Sequence, residues 1–339
     1  MFKKSVFLLL AAGVLLAAWF GSQVYTQMHS NLGISEPQSI NFMRGSTIRT
    51  LAKQLKERGL LANEKYFLVW GRLSGQSTRL QAGEYRLTPQ STLASLLDDM
   101  VNGKVVQHNI TLIEGQTFRQ VLQAIQKHPA VTALLLDENG KPLDNDAIMA
   151  RLGHPGEHPE GRFYPDTYAI THGISDIELL QRAYNTMAQI LAEEWAQREK
   201  DLPFETPYEA LIMASIVEKE SAVAEERPLI AGVFINRLRK NMRLQTDPTV
   251  IYGIPNYDGN IRFRDLRRDT PYNTYTRHGL PPTPIALPGR EAIHATLHPD
   301  ETPYLYFVAY GDGSGRHYFS KTLKEHEKAV DKYQRRKKR

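Results

Sequence analysis

Apolar residues recur along this chain with two spacings, and the switches between them mark out its elements. Between residues 40 and 125 one pattern occurs three times. Two apolar residues stand two apart, a turn follows, and further apolar residues fall at i, i+3, i+4 and i+7. The copies are Ile40 and Phe42 with Ile48, Leu51, Ala52 and Leu55; Tyr85 and Leu87 with Leu93, Leu96, Leu97 and Met100; and Ile110 and Leu112 with Phe118, Val121, Leu122 and Ile125. A spacing of two lines one face of a strand, and three-then-four lines one face of a helix. Each copy therefore predicts a strand–turn–helix unit, and the series predicts small α+β modules. Between the first two copies a short helix is expected, capped by Asn63 and carrying Tyr66, Phe67, Trp70 and Leu73.

The Asn139-Gly140 turn and the Pro- and Gly-rich loop 154–161 close this region. Ser175 and Glu178 have the spacing of a capping box, opening a long helix with Leu180, Ala183, Tyr184, Met187, Leu191 and Trp195 on its buried side. The next helix is the one around which the chain is arranged. Thr206, Pro207 and Glu209 form a start signal, and Leu211, Ile212, Met213, Ala214, Ile216 and Val217 then point in every direction. That pattern predicts a helix buried on all sides, ending in Glu218, Lys219 and Glu220. A helix over 228–238, a long irregular stretch over 242–288, a hairpin from 304–310 to 317–320 and a helix over 323–333 complete the reading. An irregular stretch that long inside a compact domain is usually functional.

The N-terminus changes the picture. Lys3 and Lys4 precede an apolar run from Val6 to Phe20, and no charge appears between Ser5 and Ser35. Extended through Tyr25, the run is about the ~20 residues a bilayer-spanning helix needs. The lysines place the N-terminus in the cytoplasm, with Trp19 and Tyr25 near an interface. A cleaved signal peptide is the competing reading; the length of the run and bulky Trp19 and Phe20 after Ala17-Ala18 favour an uncleaved anchor. Either way the bulk of the chain is exported.

Composition adds little beyond exclusions. The chain has no cysteine, which rules out disulfides, thiolate metal sites and Cys nucleophiles. Its net charge is +5, and subtracting the six positive charges of residues 332–339 leaves −1 for the rest. Without a basic stripe in the body, nucleic acid is not an expected partner. The tail reads as a solvated end.

Glu218 shares a helical face with Leu211 and Ala214, whereas Glu220 points to roughly the opposite side. Apolar neighbours and the negative end of the helix dipole both raise a carboxyl pKa, which keeps an acid protonated and ready to donate. A structural ion pair with an arginine is the plainer alternative. The long loop gathers Gln245, Asp247, Tyr252, Tyr257, Tyr272, Asn273 and Tyr275. Aromatic faces with amides and carboxylates suit sugars, though such residues also hold irregular loops together. Glu218 and Glu220 diverge too far to be a glycosidase pair. Asp247 or Asp166 would serve as a second carboxylate; a lytic cleavage needs none, because a sugar hydroxyl attacks intramolecularly while one carboxyl acts as acid and then base. Two other chemistries have weaker footing. Ser215 and Lys219 stand at i, i+4, a geometry a Ser-Lys nucleophile could use. His294 and His298 do too, but without a third ligand in view, and His154 and His158 share no helical face.

Taken together, these residues resemble the YceG-like family of endolytic murein transglycosylases. The resemblance is carried by Glu160-Gly-Arg-Phe-Tyr-Pro-Asp-Thr-Tyr168, Ala214-Ser-Ile-Val-Glu-Lys-Glu-Ser221, Leu244-Gln-Thr-Asp-Pro-Thr-Val250, Pro271-Tyr-Asn-Thr-Tyr275, Gly279-Leu-Pro-Pro282 and 304–308. Thr283 departs from the family, which more often has Gly there. The resemblance implies an inner-membrane enzyme with its catalytic domain in the periplasm and a LysM-like module before it. It implies cleavage within peptidoglycan glycan strands, at the β-1,4 bond between N-acetylmuramic acid and N-acetylglucosamine, leaving a 1,6-anhydro end. It also implies association with peptidoglycan synthases and no cofactor or metal. The family's catalytic glutamate matches Glu218, and Tyr168, Gln245, Asp247, Asn273 and Tyr275 are carried over as substrate-binding candidates.

The expected fold is therefore α+β: an anchor over 1–25, a linker over 26–38, repeated modules over 39–153, a mixed α+β catalytic domain with a central buried helix over 154–333, and a basic tail over 334–339. Two other readings stay open, a non-catalytic wall-binding scaffold and a Ser-Lys amide hydrolase.

Overall fold

Two copies of the strand–turn–helix pattern pair with each other. In the computed structural model, which describes residues 2–221 and 223–335, the chain begins with α1 (Phe2–His29) and β1 (Gln38–Phe42). It continues through α2 (Ile48–Glu57), α3 (Glu64–Leu73), β2 (Gly83–Leu87), α4 (Leu93–Val101) and β3 (Gln107–Thr111). β1 and β2 are antiparallel with Ile40 opposite Tyr85. Their inward residues meet Leu51, Leu55, Phe67, Leu96, Leu97 and Met100 in one core. The repeat helices share a start signal beyond their apolar spacing. Thr47, Thr92 and Thr117 each cap a helix and complete a capping box with the residue three positions on.

α1 runs past the anchor expected over 1–25, and Val24 and Met28 are buried in the core of this first unit. The first four residues of the expected linker, 26–29, are thus helical, with Tyr25 and His29 packed on the Trp70 ring. Within α1, Lys4–His29 is long and apolar enough to cross a bilayer.

Contacts divide the chain into two compact units. The first holds residues 1–109, 129–131 and 169–174, and the second holds 110–128, 132–168 and 175–339. The third repeat therefore falls in the second unit, although the sequence reading grouped it with the first two before residue 154. Its strand β3 bonds with β5 (Thr167–Thr171), not with β1 or β2.

The second unit contains α5 (Phe118–Lys127), α6 (Asn145–Arg151) and α7 (Asp176–Ala196), with the two-residue pair β4 (Val131–Thr132) and β6 (Ile174–Ser175) at its border. Then come α8 (Pro207–Glu220), a short turn of helix at Ala224–Glu226, α9 (Arg227–Arg239), α10 (Asp247–Tyr252), α11 (Phe263–Arg267), α12 (Arg290–Leu297), the antiparallel hairpin β7 (Tyr306–Ala309) and β8 (His317–Ser320), and α13 (Leu323–Val330). Every residue of α8 from Ala210 to Val217 is buried, with α7, α9, α10 and α12 packed around it. Its start signal forms as expected, Thr206 accepting from the Glu209 amide in a complete capping box. At α7 only half of the expected box forms, Ser175 accepting from the Glu178 amide. The stretch 242–288 is less irregular than its sequence suggests, because α10 and α11 lie in it. The basic tail falls mostly outside the described residues.

Candidate active site

The last turn of α8 leaves the core with two carboxylates on opposite faces. Glu218 is nearly enclosed, its side chain 7% exposed. Its Oε2 accepts the Gly289 amide at 3.0 Å, and Arg227 Nη2 stands 3.5 Å from Oε1. That contact is long, and Arg227 makes its closer ion pair with Glu291. The carboxyl thus has a long ion pair with a cation that it shares with Glu291. Burial holds its pKa above the usual carboxylate range and the charges of Glu114 and Glu291 add to the rise, while the Gly289 amide and Arg227 oppose it.

The surroundings are built from three elements. Gly289 caps α12, and a Cβ there would collide with the Glu114 carboxyl, so the 114–115 turn lies against this backbone. Lys219 donates to the Gly115 carbonyl at 3.0 Å, fixing the same turn from the α8 side. Three of its neighbours, Glu114, Arg227 and Glu291, line a cleft of about 930 Å³ together with Tyr164 and Arg290, although Glu218 itself is not part of that lining. Sequence reading read Glu114 only as part of a turn and passed over Arg227 and Glu291. Their spacing along the chain carries no signal that would find them.

The other carboxylate faces different partners. Glu220 accepts the Thr246 hydroxyl, and burial raises its pKa despite that bond. It lines a second cavity, of about 500 Å³, together with Gln245, Asp247, Tyr275, Arg237 and His317. Three of the expected substrate contacts therefore gather at Glu220, not at Glu218. Tyr275 donates to Asp247 at 2.6 Å. Gln245 holds a positive φ of 50°, a costly conformation for a residue with a long side chain.

The remaining expected contacts face inward. Asn273 is fully buried; its amide donates to the carbonyls of Asp265, Leu266 and Arg268, and its oxygen accepts the Tyr275 amide. It holds the loop together and presents nothing to a ligand. Tyr168 is also buried, its hydroxyl bonded to the Tyr164 carbonyl, and desolvation pushes its pKa up to about 12. Tyr252 donates to the buried Glu160, and Tyr272 reaches the hydroxyl of Thr283, the residue that departs from the family pattern.

The Ser-Lys reading loses its nucleophile. Ser215 has no exposure; it donates to the Ile212 carbonyl and accepts the Ile285 amide. The histidine pair gains a third group that sequence did not show, since Glu194 lies 2.8 Å from His294. Arg290 pairs with the other oxygen of the same carboxylate at 2.7 Å, so Glu194 already has a cationic partner. His154 stacks on Tyr184, away from His158's bond to the Glu160 amide.

Comparison with known proteins sets this arrangement in a family. Residues 40–332 match the YceG-like family. An endolytic murein transglycosylase of Bacillus subtilis is 34% identical over 87% of this chain and 84% of its own length. One from Streptococcus pneumoniae is 27% identical over 86% of this chain, which spans 57% of that longer protein. The crystal structure of a YceG-like protein from Listeria monocytogenes superposes with a TM-score of 0.53 at 29% identity, covering 88% of this chain and 99% of the other. A match across nearly the whole chain, in sequence and in fold, places this chain in the YceG-like family.

Proposed function

We propose that this chain is a lytic murein transglycosylase that cuts within peptidoglycan glycan strands, with Glu218 as its acid and then its base. The observation that carries this reading is a carboxyl held above its ordinary pKa at the end of a buried helix, among three residues that line an open cleft. Protonated Glu218 donates to the glycosidic oxygen as the bond from C1 of N-acetylmuramic acid breaks. The C6 hydroxyl of the same sugar closes onto C1, and its proton returns to the carboxylate. The products are a free hydroxyl on N-acetylglucosamine and a 1,6-anhydro end, with no water consumed. Glu291 favours return of Glu218 to its neutral form and Arg227 opposes it, while burial is the largest influence and keeps the balance on the neutral side. The endolytic murein transglycosylases among its relatives support the substrate class.

The β1–α2–α3–β2 order with two antiparallel strands supports a LysM-like, glycan-gripping role for the first unit. We assign α1 to an inner-membrane anchor with the second unit in the periplasm, near the synthases that supply new strands.

One observation favours a second arrangement. Gln245, Asp247 and Tyr275 surround Glu220, so Glu220 is the alternative acid. Purified glycan strands digested by the unaltered chain, Glu218→Gln and Glu220→Gln, with anhydro ends counted by mass spectrometry, separate the two. Loss confined to Glu218→Gln is expected. Full activity in that variant sinks the assignment, and loss confined to Glu220→Gln moves it to the second cavity. Binding of strands without new ends by the unaltered chain would leave only a wall-gripping scaffold.

A further inference from the structure

Away from both cavities, the first unit brings together three side chains from distant parts of the sequence. Glu84 lies on β2, His108 on β3 and His172 in the turn after β5. Glu84 Oε2 is 2.7 Å from His108 Nε2 and 4.0 Å from His172 Nδ1. One ligand atom from each residue lies within 4.8 Å of the others. Ligand atoms held tetrahedrally at zinc distances sit roughly 3.3 Å apart, so these gaps bracket what one ion requires.

Asn41 supplies a second, independent observation. Its Nδ2 stands 3.3 Å from His172 Nε2, while its Oδ1 is buried with no partner. Amide oxygen and nitrogen exchange by a half-turn of the side chain. After that turn Oδ1 accepts from an Nε2–H of His172, and the amide nitrogen takes the unpartnered place. The same bond fixes the tautomer in which Nδ1 carries a bare lone pair. That lone pair then faces the Glu84 carboxylate, 4.0 Å away. Two acceptors facing each other need a positive partner between them. An outer hydrogen bond that orients a histidine in this way is the usual companion of a metal ligand.

We propose that Glu84, His108 and His172 form a zinc site, completed by water on its open side and oriented by Asn41. Two imidazoles and one carboxylate suit Zn²⁺, whereas Mg²⁺ and Ca²⁺ prefer oxygen alone. The ion displaces the proton shared by His108 and Glu84. It ties residue 172, which the chain reaches only after passing through the second unit, to residues 84 and 108 of the first.

The test uses the full chain in detergent micelles, stripped by chelator and titrated calorimetrically with Zn²⁺ alone. A His294→Asn background removes the other histidine cluster. One ion per chain is expected. Affinity should fall about 10–100-fold in Asn41→Leu, the cost of losing an outer-shell partner, and further in His172→Asn. Zinc should raise the unfolding temperature of the parent but not of His172→Asn. X-ray absorption of the loaded parent, which needs no variant to fold, should show two imidazoles on the metal. Unaltered affinity in both variants, fewer than two imidazoles, or no binding at micromolar zinc would each overturn the site.

Discussion

Replacing Glu160 by Gln probes how much the second unit's stability depends on the ionisation of one buried carboxyl. Glu160 is 3% exposed, with Oε1 accepting the Phe118 amide at 2.8 Å and Oε2 accepting the Tyr252 hydroxyl at 2.9 Å. It thereby fastens the start of α5 to the end of α10. Burial outweighs both bonds and pushes its pKa from 4.5 to about 7. Each pKa unit corresponds to ~1.4 kcal/mol, so ionising the folded carboxyl costs about 3 kcal/mol. The sign follows from a raised folded value. The folded chain keeps a proton that the unfolded chain releases, so this stability is fully present below pH 4.5 and is lost as pH rises through 7. An amide can still accept from Phe118 and meets Tyr252 without ionising. Relative to the parent, Glu160→Gln should therefore gain up to about 3 kcal/mol on going from pH 5 to pH 8. Urea unfolding followed by Trp195 fluorescence, with Trp19 and Trp70 replaced by Phe in both proteins, reads the second unit. A difference that does not change with pH, or one that turns against the variant at pH 8, would refute the reasoning.

Glu114→Gln removes a negative charge that helps to hold the Glu218 pKa up, so the alkaline limb of kcat/KM should move to lower pH; a limb that stays in place removes Glu114 from the site. Asn273→Ala deprives three carbonyls and one amide of their partner and should cost about 2 kcal/mol, with faster tryptic cutting at Arg262, Arg264 and Arg267 as a direct sign that the loop has loosened. Gln245→Gly relieves a positive φ and should raise stability by about 1 kcal/mol while weakening glycan binding, and calorimetry of both properties checks it. Gain without weakened binding would make Gln245 a strained bystander.

Sequence alone determined what depends on neighbours along the chain. The apolar spacings gave α2, α4, α5, α7 and α8 their places, because a helix face is fixed by residues three and four apart. Thr206, Pro207 and Glu209 announced the start of α8, and the end of its apolar run announced where Glu218 leaves the core. The tertiary structure decided everything that depends on which segments meet. Asn273 looked like a sugar contact because amides bind sugars, and only the fold shows its amide consumed by three carbonyls. Glu114 looked like a turn residue until Gly289 brought α12 against it. The third repeat matched the first two in pattern, yet it belongs to another unit, since apolar periodicity says which face is buried and not against what. The two carboxylates of α8 differ for the same reason. Helical geometry sends them to opposite sides, but only packing surrounds one with Arg227, Glu114 and Glu291 and the other with Thr246, Asp247 and Tyr275. Desolvation and charge act through space, and no spacing along a chain encodes them.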